Sequence, residues 1–520
     1  MTFKKNSIPF AASKQFSQLF LDYISGDTKL RSFYSHVPHI DSFKQVIEEM
    51  SSENINRKLL VDVLTDQYSN FKKSDLHFNN IQLLLNKNTF TVTTGHQLCV
   101  FTGPLYFIYK ILSTINLAEE LKKNYPEQNF VPVYWMASED HDFVEISSIH
   151  LFGKTVSWKN AAKGAVGRLN TDTMDIVIYE LSQLLGESEN AKSLIQLFRD
   201  SYLNQQTLSE ATRYLVHQLF SDYGLIILDA DDARLKDSLS DIIKDDIVNN
   251  TNFKIVNKTI ADLEKIGHKA QVNPREINFF KLTDTDRVRI EKATPETLSY
   301  ASGDYSPNVV LRPLYQQLIL PNLAYVGGPG EIAYWLEYKA MFDHHKIIFP
   351  VLIPRNFAIL SDEKTGQHMQ KLGLTSEAIF EDTEQLIKDF VNKNSDISLS
   401  DQEQKIRSTY NELSIKASSI DVTLKATVES ELQKVLKGLN TIESKIIKSV
   451  KQKQETNLNQ IRKIKDKFFP NGTLQERYEN FAPYYLKYGK RFIPELKKVF
   501  DPFQFEIQLT EFTDRIKEID

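Results

Sequence analysis

The pattern of apolar and polar positions changes character near residue 90. Before that point, over residues 13–87, apolar side chains recur at helical spacing, for example at Phe16, Phe20 and Tyr23. Residues 90–94 are instead β-branched or aromatic, which is typical of a strand. We therefore expect residues 1–87 to form a helical N-terminal region that packs against another part of the chain.

A helix and a second strand are predicted directly after this first strand. The helix covers about residues 104–123 and follows Thr102 and Pro104, a hydroxyl near the cap and a proline in the first turn. The strand, residues 130–137, is nearly all apolar, which indicates a sheet covered on both faces. Together the elements form a βαβ unit, whose crossover should be right-handed.

The same alternation returns later in the chain. Further strands are predicted at residues 224–229, 323–326 and 347–353, with a helix over about 332–344. We expect an α/β fold, a Rossmann-like doubly wound sheet within residues 88–375, assembled from about 88–150, 222–245 and 305–360. The connecting segments, about 155–221 and 246–304, are insertions; the first is mostly helical, and the second holds a hairpin of residues 278–282 and 287–290.

Residues 376–469 are predicted to form an α-helical coiled coil. Residues 374–469 contain no proline and only Gly438 as glycine. The predicted seam steps by four and three residues through Val428, Leu432, Val435, Leu439, Ile442 and Ile446. A break near residues 418–421 would fold the segment into an antiparallel arm, and one nearly continuous helix is the alternative. Residues 470–520 are aromatic again and are expected to pack back on the core.

Composition narrows the class of protein. The chain has 520 residues, 41% hydrophobic and 25% charged, with a net charge of −5, as expected for a globular protein. One cysteine, Cys99, excludes an intramolecular disulfide, a Cys-rich zinc module and a Cys-liganded iron–sulfur cluster within one chain. No apolar run approaches the ~18 residues of a membrane span, and the first residues do not form a signal peptide. We expect a cytoplasmic protein with no membrane partner.

The charge balance bears on nucleic-acid binding. A nearly neutral chain gives no reason to expect nucleic acid over the whole surface. Residues 421–468 carry 11 Lys/Arg and 6 Asp/Glu, so RNA remains an alternative for this segment. A solvated coiled-coil face or a dimer interface is the favoured interpretation of these charges.

Three predicted strand ends carry candidate chemistry, because ligands of open α/β sheets bind outside the carboxyl ends of the strands. The first is Gly95-His96-Gln97, expected to form a turn. The His96 imidazole could donate to an anionic oxygen or shuttle a proton, or merely cap the turn. Residues 93–96 also meet half of the His-x-Gly-His signature of class I nucleotidyl transferases, with Thr93 in place of the first histidine.

The second strand end is acidic and consists of Glu139, Asp140, His141 and Asp142. Three carboxylates around one imidazole suit a divalent metal, an amine substrate or general acid/base work. An exposed loop that caps the next helix is the alternative. The preceding apolar strand favours a position in a cleft.

The third strand end is rich in glycine. Gly327, Gly328 and Gly330 allow positive φ and close backbone approach, and the helix after them offers free N–H groups to a phosphate or carboxylate. A tight turn, with Glu331 as a first-turn acid, is the alternative.

Three further residues complete the candidates. Arg312 and Arg355 could clamp an anion or form structural ion pairs. Cys99 is interpreted as a small buried residue rather than a nucleophile.

Taken together, ordered motifs over nearly the whole chain resemble one family, the bacillithiol biosynthesis cysteine-adding enzymes. The segments that carry the resemblance are residues 94–97, 102–106, 138–142, 306–313, 324–331 (with Tyr325) and 475–477. The residues Leu98-Cys99 depart from the small residues expected there.

The resemblance implies a Rossmann-type core, a C-terminal coiled coil and a homodimer. It also implies a ligase that adds cysteine to glucosaminyl-malate by amide formation, in the last step of bacillithiol synthesis. On that basis His96 and Gln97 are expected to stabilise the activated acyl group, and Asp140, His141 and Asp142 to orient and deprotonate the amine. The loop 327–331, Arg312 and Arg355 are expected to hold anionic groups.

Three matters stay open at this stage. ATP or another nucleotide as the activating donor is a hypothesis, and a metal requirement is unknown. Another ligase or nucleotidyl transferase on the same fold is an alternative function. A non-catalytic coiled-coil scaffold that binds protein or RNA is a second alternative.

Overall fold

The computed structural model describes residues 2–72, 75–161, 163–394 and 398–513. Within them the chain forms two compact units. The larger unit runs to Ile359 and resumes over Gln475–Thr510, and the smaller comprises Leu360–Leu474 with Glu511–Thr513. The predicted domain boundaries at residues 87, 375 and 469 stay predictions. No helix in the described part of the chain is long and apolar enough to cross a lipid bilayer.

The elements are numbered in chain order. The strands are β1 Thr2–Pro9, β2 Thr89–His96, β3 Asn129–Met136, β4 Ser148–Leu151, β5 Lys154–Ser157, β6 Ile226–Asp229, β7 Phe279–Leu282, β8 Arg287–Arg289, β9 Tyr305–Pro307, β10 Asn322–Gly327, β11 Val351–Pro354, β12 Phe357–Asp362 and β13 Glu506–Thr513. The α-helices are α1 Phe10–Ser13, α2 Gln18–Ser25, α3 Ser42–Ser51, α4 Arg57–Gln67, α5 Leu76–Leu83, α6 Tyr106–Asn124, α7 Phe143–Ile146, α8 Met174–Leu185, α9 Glu189–Tyr202, α10 Leu208–Phe220, α11 Ala233–Lys236, α12 Ser240–Asn249, α13 Thr251–Lys265, α14 Arg312–Ile319, α15 Pro329–Trp335, α16 Lys339–His344, α17 Glu363–Leu372, α18 Thr383–Lys393, α19 Ser400–Ser418, α20 Leu424–Lys453, α21 Glu455–Phe468, α22 Ala482–Tyr488 and α23 Phe492–Val499.

A five-stranded sheet in the order β11-β10-β2-β3-β6 forms the centre of the larger unit. All its neighbouring strands run parallel. Every residue of β2 and β10 is buried, because helices cover both faces. This agrees with the covered sheet predicted from the nearly all-apolar strand at residues 130–137. The Rossmann-like doubly wound α/β fold is confirmed.

The strand order fixes where a ligand can bind. From β2 the chain moves outward through β3 to β6, and then returns to the other side of β2 through β10 and β11. The strand order therefore reverses between β2 and β10. In register, Gly95 lies beside Trp135 and Gly327 beside Pro354, so the carboxyl ends meet at one edge.

The N-terminal region is helical from α1 to α5 and packs on the sheet, as predicted. Phe43 and Val46 of α3 share a core cluster with Val92 of β2 and Val326 of β10. The strand β1 was not predicted.

Local boundaries differ from the expectations in three places. Residues 95 and 96 are not a turn but the last two residues of β2, because they continue the parallel pairing with β3. Thr102 does not cap α6, since its hydroxyl is buried with no hydrogen-bond partner in the described part of the chain and the helix begins at Tyr106. The predicted helix over 332–344 is interrupted between α15 and α16.

The insertions agree with the sequence patterns. Helices α8, α9 and α10 dominate the first. In the second, β7 and β8 form the predicted antiparallel hairpin, with Phe280 opposite Arg289, and β9 adds a third strand to it. This hairpin supplies one side of the cavity described below.

In the smaller unit, α19 and α20 contact each other and are joined by residues 419–423. The antiparallel pair is therefore confirmed, and the continuous helix is wrong. The predicted seam is only partly correct. Its member Leu432 is buried, but Val435 and Ile442 are 37% and 54% exposed, and Leu436, which was not predicted, is buried instead. Both sets of positions fit a four-three repeat, so the spacing alone could not select between them.

Candidate active site

A cavity of about 700 Å³ opens at the carboxyl ends of β2, β3 and β10, within the larger unit. The structure brings together most of the predicted site residues in its lining: Gly95, His96, Gln97, Glu139, Asp140, Arg312, Tyr325, Gly328, Gly330, Glu331 and Arg355. His141, Asp142 and Gly327 do not line it. One side is formed by the residues that follow the strands, and we call it the strand-end wall. The other side carries Arg275, Phe280, Arg287 and Arg289, and we call it the hairpin wall.

His96, the last residue of β2, is neutral and has a fixed tautomer. It is 8% exposed, and its ring contacts Tyr106 and Phe107. Burial, together with the charge of Lys110, lowers the pKa of His96 to about 3. Nδ1 lies 2.9 Å from the carbonyl oxygen of Gln97, so Nδ1 carries the proton and donates it. Nε2 therefore presents a lone pair, which suits a proton acceptor.

The Gln97 side chain links two carboxylates. Its Nε2 donates to Asp140 Oδ2 at 2.8 Å and to Glu145 Oε2 at 2.9 Å. Although burial alone would raise it, the pKa of Asp140 is lowered by hydrogen bonds from Gln97 and the His141 N–H and by the nearby Arg287. Asp140 is thus an ionised, well-anchored acceptor and a weak base.

Glu139 belongs to a buried ion cluster. Its Oε1 lies 2.5 Å from Lys236 Nζ, which also lies 2.7 Å from Asp231 Oδ1. Arg168 Nε donates to the same Asp231 at 2.7 Å. Glu139 is thus held by Lys236, and Asp140 is held by Gln97 and the backbone. Because both carboxylates already contact donors, Glu139 and Asp140 do not fit a metal ion.

His141 and Asp142 lie on the exposed side of the same loop. Asp142 caps α7, accepting from the Glu145 N–H at 3.2 Å. His141 is half exposed, and its Nδ1 accepts from Arg287 Nη1 at 3.1 Å. The helix-capping alternative is therefore observed for Asp142.

The glycine loop does not have the conformation expected of it. Gly327, Gly328 and Gly330 all lack positive φ. Gly327 is needed for space, since a Cβ there would come within 3.1 Å of the Tyr325 ring and 3.2 Å of Glu331. The Gly328 N–H is taken by Glu331 Oε2 at 2.8 Å. Because this carboxylate occupies the expected anion position, the loop does not fit a nucleotide phosphate.

Lys110 of α6 neutralises Glu331 inside the strand-end wall. Its Nζ lies 2.7 Å from Glu331 Oε2 and also donates to the carbonyl of Gly95. Glu331 Oε1 accepts from the Tyr325 hydroxyl at 2.6 Å. Burial lowers the pKa of Lys110 and the Glu331 charge opposes this shift. The network fixes the floor of the cavity.

Arg312 offers an unused donor beside this network. Its guanidinium packs over the rings of Trp135 and Tyr325, and Nη1 donates to Gln316 Oε1 at 2.9 Å. Nη2 is buried with no hydrogen-bond partner among the described residues. Gly95 leaves the room for this arrangement, because a Cβ there would approach Tyr325 Oη to 3.1 Å.

Arg355 forms a structural ion pair, the alternative foreseen for it. It is 2% exposed and binds Glu476, which is 0% exposed, through two hydrogen bonds. Its charge is therefore satisfied within the protein, although it lines the cavity.

Sequence reasoning missed several residues of the cavity: Tyr106, Lys110, Arg275, Arg287, Arg289, Tyr334 and Arg477. Lys110 had a signal, because it is the one charged residue in the otherwise uncharged stretch 105–118. The hairpin was predicted, but Arg287 and Arg289 resemble ordinary surface charges of an exposed strand. Arg275 had no distinguishing pattern, whereas Tyr106 and Arg477 lie in two of the segments that carry the family resemblance but were given no role.

The cavity is cationic. Seven basic and four acidic side chains line it. Arg287 is anchored, packing 4.1 Å over the Phe280 ring and donating to Ser306 Oγ at 3.0 Å. Arg275, Arg289 and Arg477 are exposed and form no ion pair with the residues described. These three cations at the mouth are therefore available to an anionic substrate.

Cys99 does not line the cavity. It is 6% exposed, and burial raises the pKa of its thiol to about 12. The interpretation of Cys99 as a small buried residue is confirmed.

The sequence is similar to one family along almost its whole length. The family model described as "Bacillithiol biosynthesis BshC, N-terminal Rossmann-like domain" matches residues 3–356. That described as "Bacillithiol biosynthesis BshC, C-terminal coiled-coil domain" matches residues 358–512.

Curated relatives agree with this match. A protein of Flavobacterium psychrophilum named "Putative cysteine ligase BshC" is 44% identical over 517 residues, 95% of this chain and 97% of its own length. Its namesake in Flavobacterium johnsoniae is 40% identical over 523 residues, 96% of this chain and 98% of its own. The one in Chlorobaculum tepidum is 30% identical over 545 residues, 95% and 97% of the two chains.

Proposed function

Because the chain belongs to the BshC family of bacillithiol biosynthesis, we propose that it is a ligase that joins cysteine to glucosaminyl-malate. The bond formed is an amide between the cysteine carboxyl carbon and the glucosaminyl nitrogen, and the product is bacillithiol. The observation that carries this proposal is the pairing, in one cavity, of a neutral histidine with unpaired arginines at the mouth.

The arginines match the charge of glucosaminyl-malate. This substrate has two carboxylates, and Arg275, Arg289 and Arg477 offer exposed guanidinium groups that can bind carboxylates bidentately. Arg287 fixes the hairpin to which Arg289 belongs. We assign the malate end to the mouth, so that the amine reaches inward towards His96.

His96 is then the group that takes the proton of the amine. When the amine nitrogen forms the C–N bond, it must lose a proton, and Nε2 holds the lone pair that can accept it. This role differs from the one expected from the sequence, in which His96 stabilises the activated acyl group. A neutral ring has a single N–H, and the N–H of His96 already donates to the Gln97 carbonyl, so no donor remains for an acyl oxygen. Both oxygens of Asp140 already accept hydrogen bonds, one from Gln97 and the other from the backbone N–H groups of residues 141 and 142, which argues against Asp140 as the base.

Arg312 is assigned to the reacting oxygen. Its unpartnered Nη2 can donate to the acyl oxygen on which charge develops as the amine attacks. The carboxyl group must be activated beforehand, and the C–O bond to its activating group breaks as the C–N bond forms, so that the activating group leaves with the electron pair. A nucleotide donor remains a hypothesis, and no step is assigned to it.

The test measures bacillithiol by mass spectrometry after incubation of the protein with cysteine, glucosaminyl-malate and ATP. His96→Ala should lower the rate by about 10²–10⁴-fold, the usual contribution of a general base. Cys99→Ala, which changes a buried neighbour outside the cavity, is the matched control and should keep most of the activity. Full activity of His96→Ala would remove His96 from the mechanism, and another product mass would favour a different ligase or a nucleotidyl transferase.

We also infer a homodimer formed through the coiled coil. Two observations support it: Val435 and Ile442 face outward from α20, and Ile415 of α19 is 74% exposed. Light scattering coupled to size-exclusion chromatography tests it, since Ile415→Lys with Ile442→Lys should give a monomer. A wild-type mass of one chain would contradict it.

A further inference from the structure

Three potential metal ligands meet outside the cavity, where α5 faces α10. Asp75 precedes α5, His77 lies in the first turn of α5, and His217 lies in the last turn of α10. One carboxylate oxygen and one nitrogen from each ring lie within 4.8 Å of one another. His217 Nε2 and Asp75 Oδ2 are 3.4 Å apart.

The two histidines have unmet hydrogen-bonding capacity. His77 is 0% exposed, and neither of its ring nitrogens has a hydrogen-bond partner among the described residues. His217 is 4% exposed, and its Nδ1 likewise has no hydrogen-bond partner among the described residues. A buried polar group without a partner destabilises the folded protein. The unpartnered nitrogens of His77 therefore indicate a ligand, and His217 faces the same site through Nε2, the nitrogen that lies beside Asp75.

Their surroundings hold the rings in place. Tyr68 stacks on His77 with ring centres 4.6 Å apart, and Phe71 contacts the His217 ring edge-on, also at 4.6 Å. The two imidazole rings are 4.6 Å apart and nearly perpendicular. Aromatic packing of this kind fixes ring orientation without using the nitrogens.

The geometry suits a small tetrahedral ion. Zinc binds imidazole nitrogen and carboxylate oxygen at about 2.0–2.2 Å, so neighbouring ligand atoms lie about 3.3 Å apart. The 3.4 Å between His217 and Asp75 already matches this spacing. The Asp75 side chain is 29% exposed, which gives an ion a path to the site and leaves a position for water.

We propose that Asp75, His77 and His217 form a Zn²⁺ site that ties α5 to α10. The ligand set of two imidazoles and one carboxylate is typical of zinc. Both helices pack against β6, so the ion fastens two distant parts of the chain at the edge of the central sheet. The site lies outside the cavity, so the proposal is independent of the proposed ligase chemistry.

The experiment measures zinc in the purified full-length protein by inductively coupled plasma mass spectrometry. After addition of Zn²⁺ and removal of free ion, about one zinc per chain is expected, and the melting temperature should rise. His77→Phe, which suits the aromatic surroundings, and His217→Gln should each lose the zinc. Asp75→Asn keeps the shape of the side chain, removes its charge and changes a partly exposed position. Its zinc content therefore tests the proposal even if a histidine variant does not fold.

The matched control is His344→Ala. His344 belongs to another group of possible ligands, with Asp245 and His345, and its loss should leave the zinc content unchanged. Zinc that disappears in His344→Ala but stays in Asp75→Asn and His217→Gln would overturn the proposal. Wild-type protein that retains no zinc and shows no thermal shift would overturn it as well.

Discussion

The two walls of the cavity use charge in opposite ways. On the strand-end wall the charges are buried and paired within the protein, as in Lys110 with Glu331 and Arg355 with Glu476. On the hairpin wall, Arg275 and Arg289 are exposed and have no ion-pair partner among the described residues. Paired buried charges hold a shape, whereas unpaired exposed charges can bind a substrate. Proximity to a cavity alone therefore does not identify a substrate-binding arginine.

The largest expected effect comes from breaking a pair on the strand-end wall. Arg355→Ala leaves the Glu476 carboxylate buried without its cation, which should lower the free energy of unfolding by about 3–5 kcal/mol. Urea denaturation followed by circular dichroism measures this loss. The variant that also carries Glu476→Gln should recover part of it. A loss below about 1 kcal/mol would show that the pair does not stabilise the wall.

A smaller effect concerns Glu337, which supports the segment leading to the hairpin wall. This buried carboxylate accepts the backbone N–H groups of Gln271 and Val272, and burial raises the pKa of Glu337 to about 7. The folded protein therefore binds a proton more tightly than the unfolded chain. Stability from this group is present below about pH 4.5 and is lost as the pH rises to 7, by up to about 3 kcal/mol.

Glu337→Gln should remove this dependence. The stability of the variant minus that of the wild type should be larger at pH 8 than at pH 5. Urea midpoints of both proteins at the two pH values measure this difference. Parallel pH profiles of the two proteins would contradict the assignment. Asp343→Asn, on the exposed side of α16, is a suitable control.

The smallest effect is expected at the mouth. Arg289→Ala should change the free energy of unfolding by no more than about 0.5 kcal/mol, because the side chain is exposed and unpaired. It should raise KM for glucosaminyl-malate about tenfold, with kcat little changed, since it removes uniform binding of a carboxylate. Arg199→Ala, which changes an exposed side chain that does not line the cavity, serves as the control. An unchanged KM would assign the malate carboxylates to other residues.

Much of the fold could be predicted because periodicity reports which faces are buried. The all-apolar strand at residues 130–137 indicated a covered sheet, and the four-three steps after residue 428 indicated a coiled coil. The family resemblance drawn from the ordered motifs is confirmed by the family match. The phase of the seam could not be predicted, since Val435 and Leu436 fit equally well.

The site was predictable only where residues follow strands directly. His96, Asp140 and Glu331 lie at strand ends, so the topology placed them together. The pairing of Arg355 with Glu476 could not be read from the sequence, because it depends on tertiary contact between distant segments. The tautomer of His96 could not be read from the sequence either, because it depends on the local backbone conformation that places the Gln97 carbonyl beside Nδ1.

The pair of Arg355 and Glu476 also has a consequence for how the chain is made. The partners are 121 residues apart, and Glu476 lies near the end of the chain. At about 5–20 residues per second, a ribosome needs roughly 6–24 s to add the acid after the arginine has been incorporated. During that interval the nascent sheet carries a cation that it cannot yet bury. The cavity is therefore finished only after the arm has been synthesised, and a chain truncated before residue 475 should emerge with the strands of its central sheet in place but its site open.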